Sequence, residues 1–479
     1  MRKNLRPPGD ADAGVLNNQL VQLERKEDMK DTNRESHSID LNLVSPDKRT
    51  FSTVSFVLMY WSSVIVIQGF VLGQSMLPPN GSLNIGQALT ALLIAALLLA
   101  AFFALNGMVG NKYGIPYVVQ VRSSFGMKGS KIAILFRNVP AIFWLGIATW
   151  IGASAISAVT NMLFGFGNVY VYFIIILVVQ AALAAAGIQS IKWFETTMAI
   201  VIVVILVYMM ISISQNFNEQ LTANWSSKGS WGMPFITSVV ALVGAVITVS
   251  VNSSDLARYL VVGKKQVWIG HLLGIPLPKI FLVVLGIISG AALGIWDPVE
   301  ALIQVSPNKW SAVLVLILIT LAQITTNLTS NILPPALMLM DFFKKLSWQG
   351  SVVIVSVLGI ASCPWILFTH AGFFGLINAY SAFLGPVLAV MLADFYFIRK
   401  QKLDAAQLYE PGCGPLYRFT KGWNIAALAA VAVGGVFGIL FNSLSWLVAG
   451  PIAFVVYLIL YPVIYGKNKQ FPDESVTLE

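Results

Sequence analysis

An all-α integral membrane protein with 12 transmembrane helices is the fold class this sequence predicts, on three observations. First, of 479 residues 57% are hydrophobic and 11% charged, against about 25% charged in an ordinary soluble domain. Second, the mean hydropathy is +0.77, more apolar side chain than a soluble core can hide beneath so thin a polar skin. Third, the apolar residues fall in long runs, without the alternation of period two that a membrane β-barrel requires. A cytosolic enzyme, a disordered chain and a secreted disulfide scaffold are excluded. Cys363, in an apolar run, and Cys413, in a charged loop, form neither a disulfide framework nor a metal motif.

A span needs about 20 apolar residues, because the hydrocarbon layer is about 30 Å thick and a helix rises about 1.5 Å per residue. Residues 1–49 are polar and lack the apolar stretch of a cleavable signal peptide, so they read as a largely disordered cytoplasmic tail. Spans are expected at 53–76, 84–108, 132–163, 168–188, 194–214, 233–252, 267–295, 311–333, 349–368, 372–397, 423–441 and 445–465. They must be helical, since unpaired backbone amides are prohibitive in lipid. Residues 398–466 hold a cytoplasmic loop and the last two spans, and 467–479 a cytoplasmic C-terminal tail. With the N-terminus inside, fifteen of the 30 Lys and Arg residues fall in inner loops and two, Lys228 and Lys309, in outer loops. That is the positive-inside bias of a multi-pass cell-membrane protein. It accounts for the net charge of +9 with no nucleic-acid partner. The expected partners are the bilayer and a small-molecule substrate, and the chain is expected to be a monomer.

Polar groups inside a span are costly and usually face a cavity or a partner. The eighth span carries the most, from Leu321 to Asn331. Ala322, Thr325 and Thr326 stand at i, i+3 and i+4, on one face. Two hydroxyls and a carbonyl there can act as hard oxygen ligands for a small cation, or the hydroxyls can bond back to their own helix. Asn327 and Asn331 share another face. Trp144 lies mid-span in the third span, after Pro140, where an indole either packs or stacks on a flat heterocycle. Gln68, Gly69 and Gly73 in the first span, and Gly244 with Thr248 in the sixth, suit interrupted helices in corresponding positions of two inverted halves. Lys279 follows Pro276 and Pro278; it either snorkels to the inner side or titrates and moves protons. Arg137 reads as an interfacial anchor. Asp255 and Asp394 read as caps or ion-pair partners at cytoplasmic span ends, or as gates. No Walker loop, metal-ligand His spacing or Gly-x-Ser-x-Gly elbow occurs. The chain is therefore not expected to be an enzyme, and an ion gradient is the expected source of drive.

The segments Lys48-Arg49-Thr50, Asn106-Gly107 with Lys112-Tyr113-Gly114-Ile115-Pro116, Arg122-Ser123-Ser124-Phe125-Gly126 and Trp144-Leu145-Gly146 form a series along the chain. Thr325-Thr326-Asn327, Asn331-Ile332-Leu333-Pro334, Cys363-Pro364-Trp365, Leu384-Gly385-Pro386, the run from Asp394 to Lys400 and Gly422-Trp423-Asn424 continue it. In kind and order these segments resemble the nucleobase–cation symport family of bacterial hydantoin, allantoin and cytosine permeases. The resemblance implies a LeuT-like fold: inverted repeats at 50–214 and 215–397, five helices each, plus two C-terminal helices. It also implies a sodium site at Ser62 and Ile65 in the first span with Ala322, Thr325 and Thr326 in the eighth. Trp144 matches the family's stacking indole, Asn327 or Asn331 its amide, and Ile377 and Asn378 its tenth-span lid. Three positions depart from hydantoin-type relatives. Ala148 stands for a Gln, Val246 for a second stacking Trp, and Val66 for a Gln in the first span, although Gln68 is close. A site that loses hydrogen-bonding groups changes its ligand. The expected function is import of a small flat nitrogen heterocycle (nucleobase, hydantoin or allantoin class) coupled to Na⁺ by alternating access. The alternative is a proton-coupled importer of a vitamin, amine or amino acid on the same fold.

Overall fold

A computed structural model describes residues 41–64, 67–187, 200, 204 and 207–466. Among these, seven helical stretches are long and apolar enough to cross a membrane, and three shorter apolar helices accompany them. The expected fifth span at 194–214 falls largely outside the described residues.

The first expected span is two helices, α1 (Thr53–Val64) and α2 (Ile67–Ser75). After it, α3 (Ile85–Tyr113) opens on a capping box in which Asn84 Oδ1 accepts from Gln87 N at 2.8 Å and Gln87 Oε1 from Asn84 N at 3.2 Å. It closes at Gly114 in the left-handed region, φ +70°. A Cβ there would lie 2.3 Å from the Val44 carbonyl, so only glycine lets the entering chain cross. That crossing corrects the expected tail. Residues 41–49 are held: Val44 N donates to Gly114 O at 2.9 Å, and Arg49 donates to the Asn111 carbonyl near the end of α3. The orphan carbonyls of a helix end supply the anchor.

The third expected span begins earlier than its hydropathy suggests. α4 (Tyr117–Phe164) includes a polar segment ahead of the apolar run and bends at Gly126, φ +76°, beneath the Gly422 carbonyl. α5 (Val169–Ala185) and α6 (Met233–Val251) follow, and α6 breaks at Asn252 and Ser253 before the short α7 (Ser254–Ala257). The seventh expected span is α8 (Lys264–Gly274) and α9 (Pro276–Leu293), nearly continuous across Ile275. α10 (Pro298–Val305) precedes α11 (Lys309–Thr326), which passes through a π-helical turn, Asn327–Ile332, into α12 (Leu333–Phe342). α13 (Trp348–Ala361) stops short of the expected 368. Cys363 takes φ +49° and Pro364 starts a separate turn, because proline lacks the N–H and disfavours helix in the residue before it. α14 (His370–Ala393), α15 (Ile425–Leu440) and α16 (Ser445–Tyr465) complete the bundle.

Small residues bring the central pair together. Gly69 and Gly73 on α2 and Gly286 and Gly290 on α9 are two Gly-x-x-x-Gly steps. A Cβ on Gly286 would lie 2.1 Å from the Phe70 carbonyl, and one on Gly73 would lie 2.4 Å from the Val283 carbonyl. The two backbones therefore touch, the membrane mode of helix association by close packing. α1 lies on α8, α3 on α6, and α4 runs along α11, so the segments with most polar residues meet at the centre.

Candidate functional site

The polar run of the eighth helix is built around a missing donor. Pro334 has no N–H to offer the Ser330 carbonyl four residues back, and its ring crowds that oxygen. The helix widens into the π turn Asn327–Ile332, a feature frequent at functional sites. The freed Ser330 carbonyl accepts from Arg137 Nη2 at 2.8 Å. Arg137 Nε donates to Asn252 Oδ1 at 2.6 Å, and Asn252 Nδ2 to Asp255 Oδ2 at 2.9 Å. Asp255 Oδ1 accepts from Tyr117 N at 2.7 Å, capping the start of α4. Arg137 is thus no interfacial anchor: it is fully buried and links α4 to the break after α6 and to the π turn. Asp394 is likewise an ion-pair partner, 2.5 Å from Arg399 Nε and accepting from the Tyr457 hydroxyl at 2.7 Å.

The same π turn aims two amides. Asn331 Nδ2 donates to Asn327 Oδ1 at 2.7 Å; Asn327 Nδ2 donates to Thr149 Oγ1 at 3.1 Å and, longer, to the Leu145 carbonyl at 3.3 Å. Asn327 is fully buried against α4, whereas Asn331 reaches a hollow. One N–H of Asn331 is committed to Asn327, so a ligand meets its other N–H and its carbonyl oxygen.

That hollow holds about 540 Å³ of atom-free space, the open solvent at its mouth included. Trp144 forms one wall. Phe373 stands edge-on to the indole at 5.5 Å and 84°, and Trp144 Nε1 donates to the Tyr380 hydroxyl at 3.3 Å, so the ring is held by its edges. Gln68, Val246, Thr326 and Asn331 also line the hollow. Among the described residues, the Gln68 Oε1 and Thr326 Oγ1 atoms are buried with no hydrogen-bond partner. An unmet buried polar atom costs about 1–3 kcal/mol, which a ligand with matching groups recovers. Thr325 Oγ1 donates to Ala322 O at 2.8 Å and stays fully buried beside Thr326. The orphaned Thr326 hydroxyl lines the hollow, whereas Thr325 and Ala322 do not; a hydroxyl and a backbone carbonyl are oxygen donors of the kind a hard monovalent cation takes.

Besides Asn327, three further expected substrate contacts stand away from the hollow. Ala148 is wholly buried within α4, Ile377 packs toward Gly244, and Asn378 is half-buried on α14. None of them lines the space. Ile65 lies outside the described residues, and of Ser62 the structure describes the backbone alone. Lys279, Gly69, Thr248 and Ser330 line the hollow in addition. Phe373 and Tyr380, which hold the indole, carry no signal in sequence beyond their seven-residue spacing on one face of α14. Among the described residues no cluster of His, Cys, Asp or Glu could hold a metal ion.

Residues 43–463 match the family described as permeases for cytosine/purines, uracil, thiamine and allantoin. The chain is 28% identical to an allantoin permease of Bacillus subtilis over 91% of its own length and 95% of that protein. It is 27% identical to a hydantoin permease of Microbacterium maritypicum, over 89% of this chain and 88% of that one. The structure resembles that of Mhp1, a nucleobase-cation-symport-1 family transporter in a closed conformation with bromovinylhydantoin bound. The TM-score is 0.82 at 24% identity, covering 91% of this chain and 98% of the other.

Proposed function

The chain belongs to the family of permeases for cytosine/purines, uracil, thiamine and allantoin, and on that premise we propose that it imports a small flat nitrogen heterocycle together with Na⁺. The observation that carries this reading is one hollow in which an edge-held indole, an anchored amide and an orphaned hydroxyl stand together: Trp144, Asn331 and Thr326. The substrate stacks on the Trp144 face. Its ring N–H and carbonyl groups pair with Gln68 Oε1 and with the open valences of Asn331. Na⁺ takes oxygen from Thr325, Thr326 and the Ala322 carbonyl, with the first helix completing the shell at Ser62 and Ile65. Both ligands touch helices that are interrupted beside them, so each favours the same closed arrangement and strengthens the binding of the other. Absence of a carboxylate among the described lining residues favours Na⁺ over a proton as the coupled ion. The matching architecture is two five-helix inverted repeats, 50–214 and 215–397, followed by two further helices, with both termini cytoplasmic and the chain a monomer.

The test is uptake into proteoliposomes of radiolabelled uracil, hydantoin and allantoin under imposed gradients. An inward Na⁺ gradient is expected to drive saturable accumulation of one of these rings. Accumulation that follows a proton gradient and ignores Na⁺ would transfer the coupling to H⁺. Uptake indifferent to both gradients would overturn the symport reading.

A further inference from the structure

We propose that Lys279 makes this hollow selective for an anion: the heterocycle it takes carries a carboxylate or another ionised oxygen, which pairs with the lysine ammonium. The inference deepens, and rests on, the flat-heterocycle reading above.

Lys279 lines the same space as Trp144, Gln68 and Asn331 and is 3% exposed. Snorkelling to the cytoplasmic surface requires the helix to start at Pro278, and it does not. α8 begins at Lys264, fifteen residues earlier, which is about 22 Å of helix at about 1.5 Å per residue. A lysine stem cannot cover that distance. Nor can α9 swing outward, because its Gly286 rests on the Phe70 carbonyl of α2.

Among the described residues no hydrogen bond or ion pair reaches the Lys279 ammonium, and the lining holds neither Asp nor Glu. Among the described residues, the buried carboxylates lie on other helices and are already engaged. Asp255 serves Tyr117 N and Asn252, Asp341 serves Arg122 and Lys344, and Asp394 serves Arg399. A buried ammonium without a counter-ion costs several kcal/mol. A cation at Thr326 adds a second positive charge to the same hollow. A neutral ring leaves both uncompensated, whereas a monoanion cancels one and supplies the acceptor the ammonium lacks.

The experiment compares matched pairs on the purified full chain in sodium chloride: uracil against uracil-6-carboxylate, and hydantoin against hydantoin-5-acetate. Affinities are read by competition and by thermal shift, for the wild type, Lys279→Gln and Lys279→Arg. A charge-assisted bond is expected to make the carboxylate member bind roughly 10- to 100-fold tighter to the wild type. In Lys279→Gln the ratio within a pair should collapse toward one, and Lys279→Arg should keep most of it. A wild type that binds the neutral ring as well as or better than its carboxylate overturns the inference and leaves the transporter reading standing; this arm needs no variant to fold. A carboxylate preference that survives Lys279→Gln also overturns it. If neither member of any pair binds, the flat-heterocycle reading fails and the inference falls with it.

Discussion

Replacing Asn327 by Leu removes the support of Asn331 while keeping nearly the same volume in the α4–α11 interface, the kind of exchange a core tolerates best. Three contacts disappear: the 2.7 Å bond from Asn331, the 3.1 Å bond to Thr149 and the long 3.3 Å contact with the Leu145 carbonyl. Thr149 is the less affected partner, since its hydroxyl still lies 2.7 Å from the Leu145 carbonyl and 3.0 Å from Gln180 Oε1. The loss therefore concentrates on Asn331, whose committed N–H becomes an unmet donor and whose amide is free to turn in the hollow. At about 1–3 kcal/mol for such a group, ligand affinity should fall roughly 5- to 150-fold. The assay is equilibrium binding of whichever of uracil, hydantoin and allantoin the wild type takes, on Asn327→Leu, Asn331→Leu and the double variant. Because Asn327 acts through Asn331, the double variant should bind no more weakly than Asn331→Leu alone. Wild-type affinity in Asn327→Leu, or losses that simply add, would show that the two amides work independently and that the relay drawn here is wrong.

Two further outcomes follow from the packing. Gly286→Ala places a methyl group 2.1 Å from the Phe70 carbonyl and should destabilise the chain by about 1–3 kcal/mol, as overpacking does; an unchanged melting temperature would mean that α2 and α9 do not touch. Burial pushes the Cys413 thiol up to about 11, so the reactive thiolate is scarce below that pH and only increases as pH rises toward it. Maleimide at pH 7.5 should therefore label the half-buried Cys363 and spare Cys413, with Cys413 labelling appearing only on unfolding; fast labelling of both in the folded chain would contradict this.

Much of the central region was legible because membrane burial makes polar residues conspicuous. An indole at mid-span, two amides four residues apart and a pair of threonines all stand out against Leu, Ile and Val, and Trp144, Asn331 and Thr326 reach one hollow. Two things were hidden. Hydropathy could not place helix ends where a buried polar segment extends a helix beyond its apolar run, as in α4, or where Pro364 cuts an apolar run. Periodicity could not foresee the π turn, since its cause is a donor missing four residues downstream of the carbonyl it frees. Given Pro334, the unsatisfied Ser330 oxygen follows, and a buried Arg137 becomes its natural partner rather than a surface anchor. Lys279 was visible as a costly charge, but its distance from the end of its helix depended on α8 being helical. Val246 makes one wall of the hollow aliphatic, and Lys279 of α9 brings a charge to it.

Thermal melting of the purified chain with uracil, hydantoin and allantoin, in sodium chloride and in choline chloride, puts the shared indole, amide and cation site to trial in one measurement. One ring should raise the melting temperature, and more so in sodium; a ligand at a hundred times its Kd contributes about 2.7 kcal/mol. Trp144→Ala should lose that rise. A rise of equal size in Trp144→Ala, or no response to any ring in either salt, would contradict the account.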